Sequence, residues 1–201
     1  MTKNIVFDMG KVLTQYDSGR ICRKLMADPD LRHKVQSAVF FSPEWIFLDM
    51  GVIPEPEALA LMTGRLHTPR EKALAEECFA QWHEHCMWPI EDMADVVARC
   101  KERGFGLYVC SNASLRLLTC YTKVIPAIEL FDGVLFSAEV KAIKPQREMY
   151  GRFFERFSLN PAECFFIDDL ESNVRGSIAC GMDAWHHDGD VEKLRRKLET
   201  L

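Results

Sequence analysis

Ile5-Val6-Phe7-Asp8-Met9-Gly10-Lys11-Val12-Leu13 is the stretch on which the reading of this chain turns. Ile5, Val6 and Phe7 are apolar without alternation, the pattern of a strand buried on both faces of a parallel sheet. Asp8 follows at once and Gly10 two residues later. A carboxylate just past such a strand lies at the carboxyl edge of the sheet, where open α/β folds bind their ligands.

Four further runs read as strands: Gly106 to Cys110, Gly133 to Phe136, Cys164 to Ile167, and a short one from Asp183 to Trp185. Met93, Val96, Val97 and Cys100 recur at helical spacing within Pro89 to Arg103, and Tyr150, Phe153, Phe154 and Phe157 repeat it. Pro161 breaks the chain before the next strand, and Gly181 fits the residue just past a helix end. Val191, Leu194 and Leu198 mark a terminal helix begun near Asp190. Alternating βα units predict a three-layer α/β core with a parallel sheet.

Residues 14–88 break that rhythm. They hold no convincing strand and several helical patterns, such as Glu55 to Leu66 and Arg70 to His85. About 75 residues is too long for one crossover. The expectation is an inserted helical domain over the sheet edge, joined near Thr14 to Tyr16 and Cys86 to Pro89. Residues 1–13 and 89–201 then form the core.

With 201 residues the chain is long enough for one core plus such an insert. A net charge of −5 argues against a nucleic-acid partner, which calls for a basic field. No apolar run reaches the ~18 residues of a membrane span, so no membrane partner is expected. The chain opens into a strand without a signal-peptide pattern. Its eight scattered cysteines, with no Cys-x-x-Cys, read as reduced, small hydrophobes of a cytoplasmic protein. His83-Glu84-His85-Cys86 reads as a polar helix face rather than zinc ligands, because no second ligand cluster follows. His186-His187 reads as surface.

The strand ends carry the chemistry. The first ends in Asp8, the second in Ser111-Asn112, and the fourth in Asp168-Asp169 with Asn173 beyond. The segment after the third carries Lys141 and Lys144-Pro145. If these strands are neighbours, carboxylates, a hydroxyl, an ammonium and an amide converge. Hard oxygen ligands suit Mg²⁺. A lysine and a hydroxyl beside it suit a phosphoryl group, and a carboxylate there can act as nucleophile.

Asp8-Met9-Gly10-Lys11-Val12-Leu13, Ser111-Asn112, Lys144-Pro145 and Asp168-Asp169-x-x-x-Asn173, in that order, resemble the four motifs of the haloacid dehalogenase (HAD) superfamily. Asp49-x-Gly51-x-Ile53-x-x-x-Glu57 resembles the small helical cap of its sugar-phosphate phosphatase branch. That branch includes bacterial α-glucose-1-phosphate phosphatases and the N-terminal phosphatase domain of soluble epoxide hydrolase. The resemblance covers essentially the whole chain. It implies a Rossmann-like core with an inserted small α-helical cap, and a Mg²⁺-dependent phosphatase acting on a small phosphorylated metabolite such as a sugar phosphate. By the same resemblance Asp8 is the nucleophile and a metal ligand, with the Gly10 carbonyl a second ligand. Asp169 is the direct ligand of the acidic pair, and Asp168 binds through water or orients the site. Ser111 and the Asn112 backbone hold phosphate oxygens, Lys144 neutralises Asp8 and phosphate, and Asn173 supports them. The Lys-Pro match selects Lys144 over Lys141.

One position departs from the pattern. Most phosphatases of this superfamily have Asp two residues after the nucleophile as general acid and base, and here that residue is Gly10. The leaving oxygen then departs with little protonation, or takes its proton from water, the substrate or the cap. A haloacid dehalogenase would not need that acid, because halide leaves unprotonated. The paired carboxylates Asp168 and Asp169 oppose that alternative, since they repel a carboxylate substrate. A non-catalytic phosphometabolite-binding relative is the third reading. In the insert, Trp45, Phe47 and Trp82 read as core or as interface to the sheet.

Overall fold

A computed structural model describes residues 1–201. In chain order the elements are β1 (Asn4–Phe7), β2 (Thr14–Tyr16), α1 (Gly19–Leu25), α2 (Pro29–Phe40), α3 (Pro43–Asp49), α4 (Glu55–Gly64), α5 (Pro69–His85) and β3 (Met87–Pro89). Then follow α6 (Asp92–Glu102), β4 (Gly106–Ser111), α7 (Tyr121–Val124), β5 (Gly133–Phe136), α8 (Ser137–Val140), α9 (Arg147–Phe157), β6 (Cys164–Asp168), α10 (Glu171–Ala179), β7 (Asp183–His186) and α11 (Val191–Glu199).

The main sheet is parallel, in the order β5-β4-β1-β6-β7. Strand β1 is central, with Phe7 level with Val109 of β4 and Ile167 of β6. The chain runs outward from β1 in both directions, so the strand order reverses there and a crevice opens at its carboxyl end. The strong hydrophobicity of β1, β4 and β6 has its cause in two-sided burial. Val6, Cys110, Leu135 and Phe166 pack on one face with Met149, Tyr150 and Phe153 of α9. Ile5, Phe7, Leu107, Val109, Phe165 and Ile167 pack on the other with α6, α11 and the insert. These two apolar clusters make the three layers read from the sequence.

The insert differs from the sequence reading at its joints. Thr14–Tyr16 and Met87–Pro89 are strands, paired antiparallel into a two-stranded ribbon. Three residues are too few to display a period of two, and the partner lies some seventy residues away, so no local pattern marks them. Pro89 therefore belongs to β3, and α6 starts at Asp92 rather than at Pro89. Helices α1–α5 fill the space between the two joints. Thr68 begins α5 with a reciprocal cap, its hydroxyl accepting from the Glu71 N–H while Glu71 accepts from the Thr68 N–H. Arg116, after β4, ties the insert to the sheet by donating from Nε to Glu55 Oε1 at 2.7 Å.

His187 is a second correction: His186 is exposed, but His187 is buried, and its backbone N–H donates to the Asp168 carbonyl at 2.9 Å. The chain past β7 turns inward instead of ending on the surface. All eight cysteines are unbonded. No metal-ligand cluster forms at His83 to Cys86: His83 meets Trp82 edge to face, His85 meets Lys24, and Cys86 is buried with its thiol facing the Ser18 carbonyl. No helix is long and apolar enough to cross a membrane.

Candidate active site

The carboxyl ends of β1, β4 and β6 and the segment before α9 meet at one cavity of about 310 Å³. Asp8, just past β1, donates its backbone N–H to the Ile167 carbonyl at 2.8 Å, which extends the ladder and fixes where its side chain emerges. Lys144 is buried, with Nζ 2.8 Å from Asp8 Oδ1 and donating to Asp168 Oδ2 at 2.7 Å. It stands between the two carboxylates. The segment carrying Lys144 is clamped by Asn112: Asn112 Oδ1 accepts from the Lys144 N–H at 2.7 Å, and Nδ2 donates to the Lys144 carbonyl at 3.0 Å. The Asn112 side chain therefore positions the lysine. Lys141 is exposed and lies outside the cavity.

The two adjacent aspartates play different structural parts. Asp168 ends β6 and is fully buried. Its Oδ1 accepts from the Leu170 N–H at 2.8 Å and from Asn173 Nδ2 at 3.0 Å, while Oδ2 accepts from Lys144. Tyr150 in turn donates to the Asn173 carbonyl at 2.7 Å. Asp168 is thus committed behind the wall, whereas Asp169 lines the cavity with Lys11 Nζ 4.0 Å away. Asp8, Gly10, Ser111, Asn112, Lys144 and Asn173 line the same cavity.

Burial pushes the Asp8 carboxyl above the usual carboxylate range; the Lys144 ammonium opposes that push and Asp168 adds to it. Burial alone would lower the Lys144 pKa, but Asp8 and Asp168 more than offset it, so the ammonium is held charged. Asp169 is also raised, by burial first and then by Asp8. Oxygens of Asp8, Asp168 and Asp169 all lie within 4.8 Å of one another. Despite its closeness to Lys144, Asp8 Oδ1 lacks a hydrogen bond of acceptable angle. Three carboxylates around one buried ammonium, with Asp8 Oδ1 held by an ion pair to Lys144 rather than a well-aligned hydrogen bond, fit a hard divalent cation such as Mg²⁺. Asp8, Asp169 and the Gly10 carbonyl are the groups free to hold it.

The insert and its joints supply the rest of the wall: Tyr16, Trp45, Asp49, Trp82 and Met87, with Leu117 from the core. Trp45 and Trp82 pack edge to face with ring centres 5.0 Å apart, and Tyr16 lies 6.5 Å from Trp82. Tyr16, Asp49, Met87 and Leu117 were not among the expected site residues. Asp49 belongs to the Asp49-x-Gly51 pattern, which was the one available signal. Phe47 is 42% exposed and lies outside the cavity.

A family model for haloacid dehalogenase-like hydrolases matches residues 2–181. The chain belongs to this family. As a HAD-like hydrolase it is 24% identical over 184 residues to sesquiterpene phosphatase astK of Aspergillus oryzae, covering 92% of this chain and 89% of that protein. It is 24% identical over 127 residues to (S)-2-haloacid dehalogenase 4A of Burkholderia cepacia, covering 63% and 54%. A HAD family enzyme of Bacteroides thetaiotaomicron, solved with magnesium and inorganic phosphate, superposes with a TM-score of 0.72 at 20% identity over 94% of this chain and 96% of that one. That last likeness establishes the shared fold. The two curated relatives bear the names of different chemistries, a phosphatase and a dehalogenase.

Proposed function

We propose that this HAD-like hydrolase is a Mg²⁺-dependent phosphatase of a small phosphorylated metabolite, working through an aspartyl phosphate on Asp8. The observation that carries the reading is the charge imbalance: three carboxylates face one buried ammonium, and the one further cation, Lys11, is mostly exposed and 4.0 Å from Asp169. An anionic substrate meets net repulsion there unless a divalent cation balances the buried carboxylate excess. A dehalogenase, which works on a carboxylate without metal, gains nothing from Asp169. The name of the Aspergillus relative supports the same choice.

In this reading Asp8 attacks phosphorus from the end of β1, with Lys144 opposing the push of burial toward its protonated form. Ser111 and the Asn112 backbone receive phosphate oxygens, and Lys144 offsets their charge. Asp168 and Asn173 hold Lys144 and the β6 end in place. Mg²⁺ held by Asp8, Asp169 and the Gly10 carbonyl would neutralise the phosphate and draw charge from its oxygens. Residues 14–88 act as a cap that shields the site from water and selects substrate. The aromatic wall suits an apolar or aryl alcohol better than a sugar. Among polar wall groups, Thr14 Oγ1 donates to the Val124 carbonyl, Asn112 is spent on Lys144 and Asn173 on Asp168, which leaves Tyr16 and Asp49 as the polar side chains the insert turns to a leaving group.

p-Nitrophenyl phosphate should be hydrolysed by the pure protein, stopped by EDTA and restored by Mg²⁺. Asp169→Ala should weaken Mg²⁺ binding about 10-fold or more by titration calorimetry, and Asp168→Ala should weaken it less. Turnover that survives EDTA, or Mg²⁺ affinity unchanged in Asp169→Ala, would count against the metal site. Release of halide from a 2-haloacid without metal would instead support the dehalogenase reading.

A further inference from the structure

Gly10 leaves the strand-end floor of the cavity without the carboxyl that would donate a proton two residues past Asp8, and one group elsewhere on its wall is placed to supply it. We propose that Asp49, from the insert, is the general acid and base of this enzyme; the inference rests on the phosphatase reading. Asp49 is the last residue of α3 and lines the cavity that Asp8, Ser111 and Lys144 floor. A phosphate seated on that floor directs its ester oxygen into the rest of the cavity, where the insert forms the wall.

Asp49 is held to the core although it belongs to the insert. Its carbonyl accepts a hydrogen bond from Ser137 Oγ, next to β5. Gly51, two residues on, has φ +67°, and a Cβ there would collide with the Ala138 carbonyl. Only glycine allows this close approach. The backbone of the insert is thereby seated on α8 at the point where Asp49 meets the cavity. No cation pairs with the Asp49 carboxyl, and the Ser114 N–H is the one group offsetting its burial, which pushes it up to about 8. It can therefore carry a proton near neutral pH and release it.

The other wall groups are poorer donors. Burial raises the Tyr16 phenol well above its usual range. Lys144 is engaged by Asp8 and Asp168, and Lys11 is mostly exposed, 4.0 Å from Asp169. The amides of Asn112 and Asn173 and the Thr14 hydroxyl have partners already. A Cβ built at Gly10 meets nothing within 4 Å, so no obstacle in the fold accounts for the missing carboxylate there.

Asp8 forms a bond to phosphorus, and the ester P–O bond breaks with its electron pair going to the alcohol oxygen. That oxygen takes the Asp49 proton. The Asp49 carboxylate next takes a proton from water as the water oxygen bonds to phosphorus. The Asp8–phosphorus bond breaks with its electrons returning to the Asp8 carboxylate, and orthophosphate leaves with Asp49 protonated again.

The test is rapid-quench kinetics of Asp49→Asn with Mg²⁺, using p-nitrophenyl phosphate and phenyl phosphate. The first leaving group departs without a proton and the second needs one. The first-turnover burst of nitrophenol should stay within about threefold of wild type, and that of phenol should fall about 10²–10⁴-fold. Decay of the phosphoenzyme should slow by a comparable factor. Tyr16→Phe should leave the ratio between the two substrates unchanged. Equal loss on both substrates would assign Asp49 a packing role and overturn the inference, as would unchanged bursts and decay. If wild-type protein forms no phosphoenzyme from either ester, the phosphatase reading fails and this inference with it. A wild-type phosphoenzyme paired with an unaffected Asp49→Asn variant sinks the inference alone.

Discussion

Asp8→Asn should retain the fold and lose turnover by about 10⁴-fold or more, the scale on which removal of a covalent nucleophile is felt. Asparagine has the shape of aspartate, and Lys144 keeps its 2.7 Å bond to Asp168, so the strand ends stay in place. What disappears is the charged oxygen that attacks. The stability effect has the opposite sign to the activity effect. Because burial raises the Asp8 carboxyl, its ionised form opposes folding above that raised value, and this opposition vanishes once the pH falls below the ordinary carboxylate range. The metal-free variant should therefore melt at or above the wild-type temperature at neutral pH, with the gain closing as the pH is lowered. Activity within tenfold of wild type in a folded Asp8→Asn protein would remove Asp8 from the chemistry.

Lys144→Met should be damaging in both respects. The substitution fits the volume but leaves Asp8 and the fully buried Asp168 facing each other without a cation. Removing one partner of a buried ion pair costs about 3–5 kcal/mol, a large share of the roughly 5–15 kcal/mol that holds a domain together. The abandoned carboxyls should take up protons in the folded state, so the variant gains stability relative to wild type as pH falls and loses it as pH rises. Melting curves at about pH 5 and about pH 8 check this, with the gap between variant and wild type wider at the higher pH. A gap that is absent, or wider at low pH, would mean that Lys144 is not the charge that lets two carboxylates sit there.

These residues could be found in the sequence because strand ends announce themselves. Apolar runs buried on both faces, at Ile5–Phe7 and Phe165–Ile167, stop where the sheet stops, and the polar residues that follow are at its edge. The parallel order then makes Asp8, Ser111, Lys144 and Asp168 neighbours. The wall of the cavity was less legible. Trp45 and Trp82 carry the same helical spacing whether they pack in a core or face a ligand, and only the placement of the insert over β1 decides it. Tyr16 and Met87 sit on three-residue strands whose pairing is long-range. Asp49 belongs to the Asp49-x-Gly51 pattern, but an acidic residue at a helix end looks like any solvated one until its surroundings are known. The burial of His187 likewise depends on how the chain turns after β7.

The central claim is that Asp8 carries the phosphoryl group. Wild-type protein should be mixed with p-nitrophenyl phosphate and Mg²⁺, quenched in acid during turnover, and treated with borohydride, which reduces an acyl phosphate but not a free carboxylate. Peptide mass spectrometry should then find homoserine in place of aspartate at position 8, and at no other acidic residue. Unmodified Asp8 in protein that is turning over substrate, or reduction at a different aspartate, would contradict the account.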